Sequence, residues 1–297
     1  DPQKLALNIS KTDHLSDGLT LGQYKWLKDV VGEERLDEIE VKSEKILQKL
    51  RSIKSETELA RIKKAVQHTN DIYDEVFEKV KCGMTEKEIG QLFVQGLKKR
   101  GVTNSLGNPY DPPLVCIVRA GLAHRKPGDS IVKPGDMVVM DFSVKYQDYC
   151  SDIARTIYFL KKDEKEAPKE VKDAVNTTIN AVSKTIQALK PGKKGYEIDK
   201  VGRKYIENEG YPTIRHSVGH QVGRKCHDGG TVLGPKRDTP RPEVEGKLKV
   251  GEVYAIEPTV IQDNGLPSSI VEENVVIRED GAELLSRRQT ELITITC

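Results

Sequence analysis

The sequence predicts an α+β fold in which two similar halves, each with a pair of helices followed by strands, form one pseudo-symmetric domain. In each half a long helical pattern is followed by a shorter helix and by apolar runs typical of strands. The glycines that punctuate this arrangement recur at a fixed spacing, since Gly83 corresponds to Gly192 and Gly101 to Gly210, each 109 positions later. Such a repeat indicates a central sheet covered by helices.

Residues 1–54 precede the repeat and contain too few apolar positions for a core of their own. The run LALNIS (5–10) predicts a short strand, and helical segments are predicted around Trp26 and near Glu38–Leu50. The sequence leaves open whether this segment only packs against the rest or has a functional role. We expect an N-terminal extension over 1–54, the remnant of a larger N-terminal domain, and a main domain over 55–297.

Both helices of the first half open with a capping box, in which a hydroxyl residue precedes a glutamate by three positions. The boxes are Ser55 with Glu58 and Thr85 with Glu88. The predicted elements are a helix over about 56–80, a helix ending at Gly101, strands at LVCIV (114–118) and DMVVMDFSV (136–144), and, in the second half, helices over about 167–189 and 196–208.

The composition excludes several classes of protein. The 46 acidic and 48 basic residues nearly cancel, to +2, which argues against nucleic acid as a partner. No stretch approaches the roughly 20 apolar residues of a membrane helix, and the N-terminus lacks a signal-peptide layout, so we expect a cytoplasmic protein with no membrane partner. The five cysteines are odd in number and widely spaced, which predicts free thiols rather than disulfides or a thiolate zinc site.

A pair of aspartates marks the strands of the first half. Asp141 (VVMDFSV) and Asp152 (YCSDIART) lie on two strand-like runs joined by a polar segment. If the turn is centred between Tyr146 and Gln147, the two aspartates face each other directly across a hairpin. Like charges in that position repel, and apolar neighbours make unpaired carboxylates costly. We therefore expect a cation between them.

A pair of glutamates repeats this pattern in the second half. Glu257 (VYAIEPTV) and Glu272 (SSIVEENVVI) flank Asn264-Gly265, the dipeptide most typical of a tight hairpin turn. Their positions are symmetric about the centre of that turn, so they are expected to pair. Glu273 misses this register and is predicted to point to the other face.

A histidine-rich segment, HSVGHQVGRKCH, lies between the two hairpins and contains His216, His220 and His227. Isolated acidic residues on strands most often form a solvated face. Two register-matched acidic pairs with an imidazole instead match the ligand set of a binuclear site for divalent metal ions.

Four ordered motifs resemble the metallopeptidases of the pita-bread fold. They are DFSVKYQDYCSDIART, HSVGHQVGRKCHD, AIEP and VEENVVIREDGAELL. The form CSDIART (150–156) is more similar to Xaa-Pro aminopeptidases and Xaa-Pro dipeptidases (prolidases) than to methionine aminopeptidases. The resemblance covers 55–297. It implies a pita-bread (creatinase/aminopeptidase-like) catalytic domain that hydrolyses the N-terminal bond of Xaa-Pro peptides or dipeptides.

The resemblance also implies a metal site. Asp152 and Glu272 would bridge two divalent ions, manganese or cobalt, or else zinc. Asp141 would be the terminal ligand of one ion, and His220 and Glu257 would be ligands of the other.

Four residues are implied to act on the substrate. Glu257 would also accept a proton from the attacking water, and His227 would stabilise the developing oxyanion. His124, in GLAHRKPGD, would contact the substrate near the scissile amide, and His216 would line the substrate pocket.

Two positions depart from the pattern of the Xaa-Pro enzymes. Ala123 stands where they often have proline, and Ile270 where they often have arginine. Both positions concern the grip on the substrate, so the strictness of proline specificity stays open. One alternative is a methionine aminopeptidase-like activity. The other is a non-catalytic pita-bread module, and the five filled ligand positions disfavour this second alternative. The expected partners are a small peptide substrate and, from the resemblance, a second copy in a homodimer.

Overall fold

The N-terminal residues form a small layer before the repeat. In the computed structural model, which describes residues 2–11, 13–121 and 123–297, two short parallel strands pair beside the first helices. The helical segment predicted near Glu38–Leu50 is divided, because a strand interrupts it. The elements are β1 (Leu5–Leu7), α1 (Leu21–Val31), α2 (Glu33–Ile39), β2 (Glu40–Lys42) and α3 (Glu44–Ser52).

The first half follows the predicted order of helices and strands. Both capping boxes form, since Ser55 and Thr85 each accept a hydrogen bond from the backbone of the glutamate three positions on, whose carboxylate bonds back. The elements are α4 (Glu56–Phe77), α5 (Glu86–Arg100), β3 (Thr103–Asn104), β4 (Leu114–Ile117), β5 (Met137–Phe142), β6 (Val144–Tyr146), β7 (Tyr149–Cys150) and β8 (Ile153–Leu160).

The second half repeats the helix pair and adds a larger sheet. None of the helices in the described parts of the chain is long and apolar enough to cross a membrane. The elements are α6 (Lys169–Ala188), α7 (Gly195–Asn208), β9 (Gly219–Gln221), β10 (Asp228–Leu233), β11 (Val253–Ile256), β12 (Glu273–Arg278), β13 (Gly281–Leu284) and β14 (Ile293–Thr296).

Equivalent glycines confirm the repeat seen in the sequence. Gly83 and Gly192 precede α5 and α7 with φ of 90° and 85°, and Gly101 and Gly210 follow them with φ of 63° and 88°. These positive angles are costly for residues with a Cβ, which explains why glycine recurs at the same place in each half. The helices α5 and α7 begin 109 residues apart, as the repeat predicts.

Two large sheets meet where the acidic residues lie. One has the order β14-β8-β5-β4 and the other β10-β9-β11-β12-β13. They join at the beginnings of β8 and β12, where Glu272 N donates to Ala154 O at 3.1 Å and Ile270 N donates to Thr156 Oγ1 at 3.0 Å. The helices pack on the sheets through buried apolar side chains, so this junction is fixed by core packing on both sides.

A disulfide joins two cysteines that the sequence analysis treated as free thiols. Cys82, in the turn between α4 and α5, is bonded to Cys297, with the Cα atoms 5.2 Å apart. The expectation was wrong because separation along the chain does not report distance in space. Strand β14 pairs in parallel with β8, and this pairing carries the last residue back to the first half. Cys116, Cys150 and Cys226 are free and buried.

Candidate metal centre

Asp141 and Asp152 lie near each other, but not in the register that the sequence predicted. Asp141 pairs with Ala154, so Asp152 is its diagonal neighbour rather than its direct partner. The turn lies one residue later than expected, at Gln147 and Asp148, which have φ of 46° and 66°. Moving a hairpin turn by one residue shifts the pairing by two, which keeps a side chain on the same face. The two carboxylates therefore still face one site.

Glu257 and Glu272 occupy the predicted register. Asn264 and Gly265 form the turn with φ of 59° and 72°, and the β11–β12 ladder, which ends at the pair Ile256 and Glu273, is symmetric about it. Glu257 directly follows β11 and Glu272 directly precedes β12, so both lie just outside the ladder. Each carboxylate is thus free of the sheet and close to the junction.

The four carboxylates and His220 meet in overlapping groups of potential metal ligands. In each group every residue offers an atom within 4.8 Å of the others, and the groups are Asp141, Asp152 and Glu272; His220, Glu257 and Glu272; and Asp152, His220 and His227. His220 Nε2 lies 3.5 Å from Asp152 Oδ2 and 3.5 Å from Glu257 Oε1. The structure thus brings together all five residues predicted to bind metal.

The electrostatics of this cluster favour a bound cation. Burial, reinforced by the neighbouring Asp152, raises the pKa of Glu257 and of Glu272 well above the ordinary range. Burial also raises the pKa of Asp141 and of Asp152. The pKa of His220 falls to about 3, because burial and the nearby His227 both oppose its positive charge. Divalent ions would offset this concentrated negative charge and leave a neutral imidazole free to bind.

Glu272, and not Glu273, points into the cluster. Glu273 lies on the other face, where its carboxylate is 3.1 Å from Arg155 Nη2 and accepts hydrogen bonds from Ser286 Oγ and Gln289 N. Arg155 also donates to the backbone oxygen of Glu272 at 2.8 Å. Adjacent glutamates therefore have different environments, one among acids and one in a buried ion pair.

Residues that the sequence analysis did not identify hold Asp152 in place. Ser143 Oγ donates to Oδ1 at 2.7 Å and Cys226 Sγ donates to Oδ2 at 2.8 Å. Asn274 exchanges two hydrogen bonds with the backbone of Asp152, at 2.9 and 2.8 Å. No spacing in the sequence indicates this contact, since Asn274 lies 122 positions from Asp152.

The three other predicted histidines lie around the cluster. His124 Nε2 is 3.0 Å from Asp141 Oδ2, and its side chain is 58% exposed. His216 Nε2 is 3.1 Å from Thr259 Oγ1, and the ring of His227 stacks on that of His220 with centroids 4.1 Å apart. A cavity of about 890 Å³ opens here, with His216, His220, His227 and Glu257 in its wall.

A buried glutamate that the sequence analysis did not identify fixes the loop of His124. Glu86 accepts hydrogen bonds from Ile117 N and Gly128 N, both at 2.7 Å, and from the guanidinium of Arg125 at 2.5 and 2.6 Å. Because Arg125 follows His124 directly, this contact anchors the loop next to the cluster.

The fold and the cluster define a two-half α+β domain with a carboxylate-rich site suited to divalent metal ions. The chain belongs to metallopeptidase family M24, whose model matches residues 60–279. An uncharacterized peptidase of Staphylococcus aureus (strain MSSA476) is 30% identical over 241 residues, which cover 81% of this chain and 64% of the relative. A second, from strain Mu50, matches equally. The match thus covers less than two thirds of the length of these relatives.

Solved structures confirm the pita-bread fold. An X-Pro aminopeptidase from Thermotoga maritima superposes with a TM-score of 0.79 at 26% identity, covering 95% of this chain and 74% of that one. An Xaa-Pro dipeptidase from Bacillus anthracis gives 0.79 and 26%, covering 94% and 73%. The prolidase from Pyrococcus horikoshii gives 0.78 and 26%, covering 93% and 74%.

Proposed function

We propose that the protein is a metal-dependent exopeptidase that hydrolyses the N-terminal bond of Xaa-Pro peptides or dipeptides. The convergence of four carboxylates and His220 at the junction of the sheets carries this proposal, in a chain that belongs to metallopeptidase family M24. The names of similar solved structures, an X-Pro aminopeptidase and a prolidase, support the substrate class. The proposal places the chemistry in residues 55–297.

The residues fit two divalent ions. Asp141 Oδ1 is buried and has no hydrogen-bond partner among the described residues, which fits an oxygen that would bind a cation. Asp152, Glu272 and His220 each belong to two of the ligand groups, whereas Asp141 and Glu257 each belong to one. Of those three residues, only the two carboxylates have two ligand oxygens, so Asp152 and Glu272 are the residues that could hold both ions. When bound, such ions polarise the scissile carbonyl and lower the pKa of a water molecule toward neutrality.

Glu257 would accept a proton during the reaction. Its side chain is 22% exposed and faces the cavity, with Oε1 3.5 Å from His220 Nε2 and Oε2 4.0 Å from His216 Nδ1. Of the four carboxylates in the cluster, Glu257 is the one that lines the cavity, where it could take up a proton from an attacking water. The same carboxylate could pass that proton to the leaving amine.

The histidines complete the proposed site. The ring of His227 lies on the cavity wall and can donate an N–H to an oxyanion, an interaction typically worth a few kcal/mol. His124, which is exposed beyond its contact with Asp141, can reach a substrate near the scissile bond, and His216 lines the pocket. These groups orient the peptide and exclude part of the water around it.

A peptide panel tests the proposal. With Mn²⁺ or Co²⁺ present, the protein should release the first residue from Xaa-Pro dipeptides or from Xaa-Pro-Xaa tripeptides, measured by chromatography of the products. Asp152→Ala and Glu272→Ala should abolish the release, and Glu279→Ala, on the turn after β12, should not. Cleavage of Met-Ala-Xaa peptides alone would indicate a methionine aminopeptidase instead. No cleavage and no metal bound at saturating concentration would contradict both activities.

A further inference from the structure

The end of α3 contacts the loop that carries His227. Arg51 Nε donates a hydrogen bond to Asp228 Oδ1 at 2.7 Å, and Arg51 Nη2 lies 2.6 Å from the same oxygen. The Asp228 side chain is 1% exposed, so water contributes little to the stability of its charge. Because Asp228 follows His227 directly, the guanidinium of Arg51 holds one end of the loop 222–227, which carries His227.

The carboxylate of Asp228 organises this loop from within. It accepts hydrogen bonds from Arg224 N at 3.0 Å and Gly229 N at 2.9 Å. The backbone of Gly223 passes so close that a Cβ there would lie 2.1 Å from Asp228 Oδ2. The loop 222–227 is therefore wrapped around one buried carboxylate, whose counter-charge comes from the N-terminal segment.

A second contact from the same segment holds the other end of the loop. Lys54 Nζ donates to Gln221 Oε1 at 3.1 Å, next to His220, and Lys54 N donates to Gly251 O at 2.9 Å. Helix α3 also contributes Lys45, Gln48, Lys49 and Ser52 to the wall of the cavity. The segment thus contacts both ends of the loop and forms part of the cleft.

We propose that Arg51 is a positioning residue, which sets the place of His227 through Asp228. This inference rests on the role of His227 in the proposed function. Without the guanidinium, the buried carboxylate of Asp228 keeps the attraction of Lys54 nearby but loses the cation that contacts it directly. A buried carboxylate without its direct ion-pair partner is costly, and proteins avoid that state by rearrangement. The loop 222–227 avoids this cost by turning Asp228 toward water. The imidazole of His227, the preceding residue, then leaves its place against the ring of His220.

A double-mutant cycle on the full chain loaded with Mn²⁺ tests this coupling. Arg51→Ala should lower kcat on an Xaa-Pro peptide by roughly 10- to 100-fold, less than the complete loss of an oxyanion donor. KM should stay within about twofold, because the lost interaction is made in the transition state. In a His227→Ala background, the same substitution should change kcat by less than about twofold.

Matched variants separate positioning from a loss of stability. Lys63→Ala removes an exposed ion pair with Glu283, 2.9 Å long, and should leave kcat unchanged in either background. Arg51→Lys keeps the positive charge and should restore part of the rate. If thermal melts show that Arg51→Ala does not fold, Arg51→Gln, which keeps an N–H donor, replaces it in the cycle.

An NMR readout distinguishes failure of this inference from failure of the proposed function. In metal-free ¹⁵N-histidine-labelled protein, where paramagnetic Mn²⁺ does not broaden the signals, Arg51→Ala should shift the ring signals of His227, assigned with His227→Ala, and Lys63→Ala should not. Active wild-type protein with additive losses in the cycle would overturn the inference, and so would unshifted ring signals. Wild-type protein that cleaves no peptide contradicts the proposed function, and the ring signals then decide the inference alone.

Discussion

The thiol of Cys226 donates a hydrogen bond to Asp152 Oδ2 at 2.8 Å, while Ser143 Oγ donates to Oδ1 at 2.7 Å. Both oxygens of a proposed bridging ligand are therefore oriented by neighbours, Ser143 nine positions away in the same hairpin and Cys226 in the loop before β10. Partners of this kind fix the direction of a metal ligand, and their loss commonly lowers metal affinity by 10- to 100-fold.

Removal of the Cys226 thiol should lower the affinity for metal more than it lowers the stability of the fold. We expect Cys226→Ala to raise the Kd for Mn²⁺ about tenfold, measured by isothermal titration calorimetry on the metal-free protein. Cys226→Ser keeps a donor and should show a smaller change. Cys150→Ala removes another buried thiol and serves as the control for a small cavity. Equal affinities in all four proteins would contradict the orienting role.

The adjacent glutamates should respond oppositely to the same substitution. Glu272→Gln removes a charge from a cluster of like charges, so the metal-free protein should melt at the wild-type temperature or above it, but lose the rise in Tm caused by Mn²⁺. Glu273→Gln leaves Arg155 buried without its charged partner and should cost about 3 kcal/mol of stability. Melting curves with and without metal measure both effects. A normal metal-dependent rise in Glu272→Gln would contradict its assignment as a ligand.

Local sequence signals predicted the framework of the site well. Capping boxes and paired glycines placed α4, α5 and α7 to within a few residues. The Asn264-Gly265 turn gave the register of Glu257 and Glu272, because its dihedral preference is strong. At Gln147 and Asp148 the same kind of turn forms without glycine, so the sequence placed it one residue too early.

The contacts around the ligands could not be predicted in this way. Cys226 reaches Asp152 from 74 positions away, and Arg51 reaches Asp228 from 177. Neither pair has a spacing rule, since each depends on how two halves and an N-terminal segment pack together. Metal ligands are visible in a sequence because their chemistry restricts the residue type. The residues that orient them are less restricted, and the structure is needed to find them.

The bond between Cys82 and Cys297 gives a prediction that is independent of the metal site. Denatured protein that has not been reduced should show three reactive thiols, and reduced protein should show five, in a titration with Ellman's reagent. Cross-links that close long loops typically contribute about 2–4 kcal/mol. Cys82→Ser with Cys297→Ser should therefore lower the Tm of the oxidised protein and have little effect under reducing conditions. Five reactive thiols without reductant would show that the bond does not form.

The buried Lys54 should make the stability depend on pH. Its side chain is 6% exposed, and burial lowers its pKa from 10.5 to about 8, against the opposing attraction of Asp228 and Glu252. Below pH 8 the lysine is charged in both states, so folding must bury a charge. Between pH 8 and 10.5 Lys54 loses its proton in the folded protein but keeps it in the unfolded protein. The free-energy cost of burying its charge therefore falls as the pH rises. Above 10.5 the cost is gone.

A lysine-free variant isolates this effect from the other groups that titrate in the same range. Lys54→Met has no proton to lose, so its stability relative to the wild type should fall by about 3 kcal/mol as the pH rises from 7 to 10.5. Urea unfolding of both proteins at several pH values gives the difference, in which shared titrations cancel. The loss of the hydrogen bonds to Ser52 and Gln221 adds a constant that does not depend on pH. Two parallel stability curves would show that Lys54 keeps an ordinary pKa in the folded protein.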